Sequence, residues 1–200
     1  MILDYEYAKN KLLASDIDGC QQFFEKKGYI LEAAYCELLN ENLLKAKALF
    51  QTILEQDIRA HWGLFIISLI EGNAQECPSY FEIRNFLEID LNLLIEYYKG
   101  EYVEKIIRYT DYMFTINPEV YKFIGRVFWN NDLKEQAMFF LDKAKYYFYH
   151  DPELHYLLAY VYMSSGERIN ALKCLNDCLM VLPNYYPAVN LLNKLKNYNV

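Results

Sequence analysis

Two consecutive segments decide the fold: PEVYKFIGRVFWNNDLKEQAMFFLDKAKYYFYHD (118–151) and PELHYLLAYVYMSSGERINALKCLNDCLMVLPN (152–184). They repeat one pattern at a spacing of 34 residues. The matched pairs are Pro118 and Pro152, Gly125 and Ala159, Phe128 and Tyr162, Ala137 and Ala171, and Leu141 and Leu175. A fixed period of this length is typical of a two-helix unit stacked on its copy. The sequence therefore predicts an all-α fold made of helical hairpins.

Both copies open with the same helix start. Asn117-Pro118-Glu119 begins the first, and Asp151-Pro152-Glu153 begins the second. Asn or Asp caps the helix, Pro fits its first turn, and Glu faces the positive end of the helix dipole. The two segments are therefore predicted to begin in the same way.

This pattern resembles the tetratricopeptide repeat (TPR) family, most closely over residues 118–184. The resemblance implies a right-handed α-α superhelix, a solenoid of about five to six helical hairpins with a C-terminal capping helix. We expect a single solenoid domain over residues 1–200. The final helix, predicted at 187–198, carries Leu191, Leu192 and Leu195 on one side, which suits a cap that buries only one face.

A looser copy of the pattern lies upstream. Ala46 and Phe50 form its small-then-bulky pair, in which the small residue lets two helices approach and the bulky one fills the space. Glu37 stands where the pattern has an aromatic residue. A further copy around Trp62 has Ile66 in place of the small residue.

The middle of the chain is less regular. Ala46 and Ala137 are 91 residues apart, whereas three regular repeats need 102. Part of a repeat is therefore lost or compressed, and we expect irregular structure around 74–100.

The predicted helices follow from apolar spacing and turn residues. They span 3–14, a short stretch ending at Gly28, 30–39, 43–56, 59–71, 79–89, 91–98, 101–115, 118–130, 133–149, 152–164, 168–181 and 187–198. The two pieces at 79–98 form either one helix or two helices broken near Asp90. Pro78 is expected in the first turn of the helix that follows it.

Composition excludes several classes of protein. Hydrophobic residues make up 54% of the chain, which is too many for a disordered protein. The net charge of −7 argues against nucleic-acid binding and against an anionic membrane surface. The first seven residues lack the pattern of a signal peptide, and no run is apolar enough to span a bilayer. We expect a soluble, cytoplasmic protein.

No motif indicates catalysis, a metal site or a cofactor. The five cysteines do not form a disulfide or metal pattern, and Cys174 and Cys178 are expected to pack as small hydrophobic residues. His155 occupies the bulky position of the repeat and is expected in the core. The sequence contains no phosphate loop and no nucleophile elbow. We therefore expect a protein that is not an enzyme.

The TPR resemblance implies that the first helix of each hairpin lines a concave groove for a partner segment. Carried over by position, the predicted groove residues are Lys122, Arg126, Trp129, Tyr156, Tyr160, Met163 and, from the looser copy, Tyr35. Lys122 and Arg126 resemble part of the carboxylate clamp of chaperone-binding members, but its Asn partners are not in place. The cations beside aromatic residues predict a partner with an acidic group near apolar anchors.

Three functions fit this groove. The first is a protein–protein interaction adaptor that holds a peptide or a helix of another protein. The second is a cytosolic TPR chaperone for a secreted or aggregation-prone client. The third is a self-associating structural subunit, so that both a monomer and a homodimer fit the sequence.

Overall fold

The computed structural model of the chain describes residues 2–13, 16–74 and 77–197. All regular secondary structure among these residues is helical, which confirms the predicted all-α fold. The chain divides into two compact units, Met1–Ile116 and Asn117–Val200. The single domain expected over residues 1–200 stays a prediction.

The described residues form thirteen helices. In the first unit these are α1 (Ile2–Leu13), α2 (Ile17–Lys27), α3 (Ile30–Leu39), α4 (Leu43–Thr52), α5 (Ile58–Ile70), α6 (Tyr80–Glu96), α7 (Gly100–Ile107) and α8 (Thr110–Ile116). In the second unit they are α9 (Val120–Asn130), α10 (Lys134–Tyr147), α11 (Pro152–Ser164), α12 (Arg168–Val181) and α13 (Tyr186–Asn197).

The second unit is built of two stacked helical hairpins and a final helix. Helix α9 packs on α10, and α11 packs on α12. The hairpins meet where α11 contacts both α10 and α9, and α13 packs on α12. The bounds of α11 and α12 are those predicted from the sequence.

The predicted cap is present at the start of α11. Asp151 Oδ1 accepts hydrogen bonds from the backbone N–H groups of Glu153 and Leu154, at 2.9 and 3.2 Å. These bonds satisfy N–H groups that the first turn of α11 leaves without backbone partners.

The start of α9 differs from the prediction. The helix begins at Val120, after Glu119, whose side chain forms no capping bond. Asn117 and Pro118 therefore lie before the helix, where Asn117 Oδ1 accepts from the N–H of Glu119 at 3.0 Å.

In the first unit each helix from α1 to α6 packs on the next one, and α7 contacts both α5 and α6. The segment 79–98, for which the sequence allowed one helix or two, forms the one helix α6. Two predicted bounds are wrong in this unit. The predicted helix 101–115 is two helices, because a tight turn at Arg108 and Tyr109 separates α7 from α8. Helix α4 ends at Thr52 rather than residue 56, and a turn completes the segment.

Helix α6 begins one residue after Ser79, so Pro78 lies outside the helix and not in its first turn. The Ser79 hydroxyl accepts from the N–H of Glu82 at 3.2 Å, and the Glu82 carboxylate accepts from the N–H of Ser79 at 2.8 Å. This reciprocal capping box fixes the start of the longest helix.

Two glycines set the closest approach between neighbouring helices. A Cβ atom at Gly125 would lie 2.7 Å from Leu141 Cγ and 3.2 Å from the Leu141 backbone nitrogen. A Cβ atom at Gly63 would lie 2.5 Å from the ring of Phe50. In the copy around Trp62, the residue that permits close packing is therefore Gly63, three positions before Ile66.

Glu37 explains why the looser copy departs from the pattern. Its side chain is buried, and its carboxylate oxygens accept hydrogen bonds from three other side chains. Gln21 Nε2 donates at 2.8 Å, Lys45 Nζ at 2.6 Å and Asn42 Nδ2 at 3.1 Å. A charged network therefore surrounds the position that Phe128 and Tyr162 occupy in the two regular copies.

Three residues with reactive side chains behave as core residues, as predicted: His155, Cys174 and Cys178. His155 is fully buried and its Nε2 lies 2.6 Å from the carbonyl of Tyr149. Cys174 and Cys178 are buried thiols, and Cys178 donates to the carbonyl of Pro152 at 3.1 Å. Burial raises the pKa of Cys178 to about 11, so the thiol stays protonated.

We predict that Gly125→Ala lowers the free energy of unfolding by about 1–2 kcal/mol, because overpacking outweighs the better helix propensity of alanine. Gly100→Ala is the matched control, since no atom lies within 4 Å of the added Cβ. This control is expected to be neutral or stabilising by up to about 1 kcal/mol. Urea unfolding followed by far-UV circular dichroism measures both. Equal stability of the two variants would contradict the close contact between α9 and α10.

Candidate functional site

Four aromatic side chains lie in a continuous line across the second unit. The Trp129 ring lies 6.5 Å from Tyr160, Tyr160 lies 5.1 Å from Tyr156, and Tyr156 lies 5.5 Å from Tyr185, measured between ring centroids. We call Trp129, Tyr160, Tyr156 and Tyr185 the aromatic row. Three of its four members are predicted groove residues.

Two different elements of secondary structure and one loop position the row. Tyr156 and Tyr160 are one turn apart on α11 and therefore point to the same side. Trp129 lies in the last turn of α9, which packs beside α11. Tyr185 precedes α13 in a turn closed by its own N–H, which donates to the carbonyl of Leu182 at 3.0 Å. The row therefore joins the two hairpins to the start of the final helix.

Sequence reasoning missed Tyr185, although a signal was present. Position 185 follows Asp151 by the same 34-residue period that relates Asp151 to Asn117. Asn117 and Asp151 each accept a hydrogen bond from the backbone N–H two residues later, and an aromatic residue at the third such position breaks that series. All of the predicted groove residues belong to the first helix of a hairpin, whereas Tyr185 lies in the turn before α13.

The row is partly open to solvent. The side chain of Tyr160 is exposed (39%), and the other three are half-buried. Trp129 Nε1 and the Tyr185 hydroxyl form no hydrogen bond with any residue that the structure describes. Burial raises the pKa of Tyr156 and of Tyr185, so both hydroxyls stay protonated and able to donate.

The two predicted cations are not free to receive an acidic partner. Lys122 is buried (6% exposed), and its Nζ lies 2.6 Å from Asp151, 3.0 Å from Glu119 and 3.3 Å from Glu153. Arg126 pairs with the same Glu153 at 2.5 Å. Asp151 and Glu119 together raise the pKa of Lys122 against the opposing effect of its burial. The expected open cation site is therefore a closed ion cluster.

The ion cluster contains more acids than bases. Its two cations, Lys122 and Arg126, contact three carboxylates, those of Glu119, Asp151 and Glu153. The cluster also adjoins the row: after burial, the carboxylate of Glu153 is the largest influence that raises the pKa of Tyr185. The end of the row near Tyr185 is therefore slightly negative rather than positive.

Met163 lies one turn beyond Tyr160 on α11 and is half-buried. Its position agrees with the prediction that it extends the same face. Tyr156, Tyr160 and Met163 follow one another at helical spacing along α11.

Tyr35 differs from the prediction. It belongs to the first unit and is buried (7% exposed), and its hydroxyl donates to Asp90 Oδ2 at 2.8 Å. Trp62 Nε1 donates to the same oxygen at 2.7 Å, and Arg59 pairs with Asp90 Oδ1. Tyr35 therefore holds α3 to α6 and offers no ring to a partner.

The Asp90 carboxylate is the buried centre of a polar cluster in the first unit, and the Arg59 side chain that pairs with it is 19% exposed. The Arg59 guanidinium lies 5.0 Å from the Tyr35 ring and 5.0 Å from the ring of Phe86, which sandwiches the cation between aromatic groups. Burial raises the pKa of the Asp90 carboxyl, although the Arg59 guanidinium acts in the opposite direction. The three donors compensate for the removal of this carboxylate from water.

Metal binding and membrane crossing find no support in the described part of the chain. No three His, Cys, Asp or Glu side chains within 2–13, 16–74 and 77–197 are grouped so that they could hold a metal ion. None of the helices in those ranges is both long and apolar enough to cross a bilayer.

Comparisons with known proteins find similarity in structure only. No protein-family model matches the chain, and no curated protein matches its sequence. Among solved structures, a chain of the APC/C hetero-tetramer Cut9-Hcn1 superposes with a TM-score of 0.46 and 14% identity, over 96% of this chain and 42% of that chain. This chain therefore spans less than half the length of that relative.

A second solved structure, YrrB, is a TPR protein with an unusual peptide-binding site. It superposes with a TM-score of 0.44 and 13% identity, over 94% of this chain and 89% of that chain. At these scores the similarity assigns no function. What this protein binds must be inferred from the aromatic row itself.

We predict that Asp90→Ala lowers the free energy of unfolding by about 3–5 kcal/mol, because it leaves the Arg59 cation and two donors buried without their acceptor. Asp90→Asn is expected to lower it by less, since the amide oxygen still accepts a hydrogen bond. Urea unfolding in a Trp129→Phe background, in which Trp62 is the one remaining tryptophan, measures both. Equal losses for Ala and Asn would contradict the acceptor role of Asp90.

We also predict that Lys122→Met destabilises the protein by about 1–3 kcal/mol, because three partly solvated carboxylates then repel one another. Adding Glu119→Gln to Lys122→Met should restore part of the loss by removing one of those charges. A double-mutant cycle from chemical unfolding provides the test. Additive effects of the two changes would show that the residues do not interact.

Proposed function

We propose that the protein is a non-enzymatic interaction module that binds a segment of another protein along the aromatic row. One observation carries this proposal: four contiguous, partly exposed aromatic side chains with two unused hydrogen-bond donors. Tyr and Trp are enriched at sites that contribute most to protein–protein binding, since each combines a large apolar area with a polar group. A segment with apolar anchors fits such a surface.

The support behind the row favours binding without large rearrangement. Trp129 and Tyr160 project from α9 and α11, and each of these helices is backed by its hairpin partner. Tyr156 and Tyr185 are ordered by each other and by burial. Side chains held in this way lose little conformational entropy when a partner binds, which favours affinity.

The charge of the chain supports a protein partner. A net charge of −7 repels nucleic acid and anionic lipid. The acidic excess of the ion cluster beside Tyr185 has the same sign. It disfavours the acidic partner group expected from Lys122 and Arg126, because Glu119, Asp151 and Glu153 already neutralise both cations.

We predict that Tyr156→Ala with Tyr160→Ala weakens partner binding at least about tenfold, or about 1.4 kcal/mol, while helix content is unchanged. Peptides are first selected against the wild-type protein from a random display library. Their dissociation constants are then measured by fluorescence polarisation for the wild type, the double variant and Tyr146→Ala.

Tyr146→Ala is the matched control, because Tyr146 is exposed (84%) on α10 and contacts no member of the row. Far-UV circular dichroism checks that the variants remain folded. If the selected peptides bind the double variant as tightly as the wild type, the row is not the binding surface. If the library yields no peptide that needs a row residue, the adaptor proposal fails.

A further inference from the structure

We infer that the segment bound along the aromatic row is proline-rich, in a polyproline II conformation, with a basic residue beside the Tyr185 end. This inference rests on the proposed function and narrows it to one class of partner. It follows from the geometry of the rings, the unused donors and the charge of the adjoining ion cluster.

The rings of the row present differently inclined faces and edges rather than one flat face. Neighbouring rings in the row are inclined to one another by 55°, 80° and 68° in order from Trp129 to Tyr185. The Tyr160–Tyr156 and Tyr156–Tyr185 pairs are edge-to-face and the Trp129–Tyr160 pair is tilted, so the rings do not share one plane. A compact pyrrolidine ring packs against such faces and edges, and aromatic-lined grooves are a recurring site for proline-rich segments.

The length of the row suits a short polyproline II segment. Three successive centroid spacings of 5.1 to 6.5 Å separate Trp129 from Tyr185. A polyproline II chain rises about 3.1 Å per residue, so six residues extend about 19 Å. A segment that follows the row from ring to ring therefore places at most roughly five to six residues along it, and every third residue of the segment meets it on the same side.

The unused polar groups of the row match a chain without N–H groups. Trp129 Nε1 is a donor only, and the protonated Tyr185 hydroxyl is also able to donate. Neither forms a hydrogen bond with the described residues. Proline residues have a carbonyl acceptor and no backbone N–H donor. A proline-rich segment therefore accepts from both donors and leaves no donor of its own buried.

An extended strand or an amphipathic helix fits less well. A strand brings backbone N–H groups that need acceptors, whereas the row presents ring faces and donors. A helix satisfies its own backbone and gives the Trp129 and Tyr185 donors no carbonyl to bind. Polyproline II is also largely formed before binding, so it loses less entropy on docking.

The ion cluster determines the charge expected beside the prolines. Glu153 is 39% exposed at its side chain, and its carboxylate acts on Tyr185. The three carboxylates of the cluster exceed its two cations. An arginine or lysine next to the proline run gains a favourable interaction there, and an aspartate or glutamate is repelled.

The test uses three fluorescein-labelled peptides and fluorescence polarisation at low salt. The first has about six prolines followed by arginine, and the second has the same prolines followed by glutamate. The third is an amphipathic helical peptide with leucine anchors and a terminal arginine. We expect the proline–arginine peptide to bind at least about tenfold more tightly than either of the others.

Two variants and one control variant locate the interaction. Tyr160→Ala is expected to weaken the proline–arginine peptide at least about tenfold, whereas Tyr146→Ala leaves its affinity unchanged. Glu153→Gln is expected to reduce the preference for arginine over glutamate by several-fold while the proline contribution remains.

Two results overturn the inference. One is a proline–arginine peptide that does not bind up to about 1 mM. The other is a leucine helix that binds as tightly as the proline peptide. If that helix loses affinity in Tyr160→Ala, the proposed function stands and the proline specificity is wrong. If peptides bind and none responds to Tyr160→Ala, the row is not the site and both proposals fail.

Discussion

The close approach of helices at small residues is the constraint on which the rest of the structure depends. At Gly125 the α9 backbone comes so near to Leu141 of α10 that even one methyl group lacks room. Gly63 has the same relation to the ring of Phe50 in the first unit. Each contact fixes the pairing of two helices. In the second unit, this pairing supports the helices from which Trp129 and the α11 tyrosines project.

Two charge networks, each centred on a buried residue, work with this packing in different ways. In the first unit, Asp90 accepts from three donors and joins α3, α5 and α6. In the second unit, Lys122 binds both Asp151, which caps α11, and Glu119 at the start of α9. The second network therefore aligns the two inner helices of the stacked hairpins. Its carboxylates also neutralise Lys122 and Arg126, which would otherwise attract an acidic partner.

The sequence predicted the local features well, because they depend on neighbouring residues. The bounds of α11 and α12 follow from Asp151, Pro152 and the turn at Ser165 and Gly166. Transfer by position from the repeat also assigned Trp129 and Tyr160 to one face, and their rings lie 6.5 Å apart.

The missed features depend on partners that are distant in sequence. Lys122 pairs with Asp151, 29 positions away. The buried Tyr35 donates its hydroxyl hydrogen bond to Asp90, 55 positions away. Neither separation is a multiple of the repeat. The burial of Tyr35 also depends on the register of α6, which lies in the stretch where the repeat is lost. Position-by-position transfer from the repeat therefore located the aromatic residues but not the charge pairs.

The central claim is that the aromatic row is the binding surface. The most direct measurement is a ¹H–¹⁵N spectrum of the protein, which contains two tryptophan indole signals. Trp62 is fully buried with its Nε1 bonded to Asp90, so its signal serves as an internal reference. When a peptide selected against the protein is added, we predict that the Trp129 indole signal shifts and the Trp62 signal does not. Binding that leaves the Trp129 signal in place would contradict the claim.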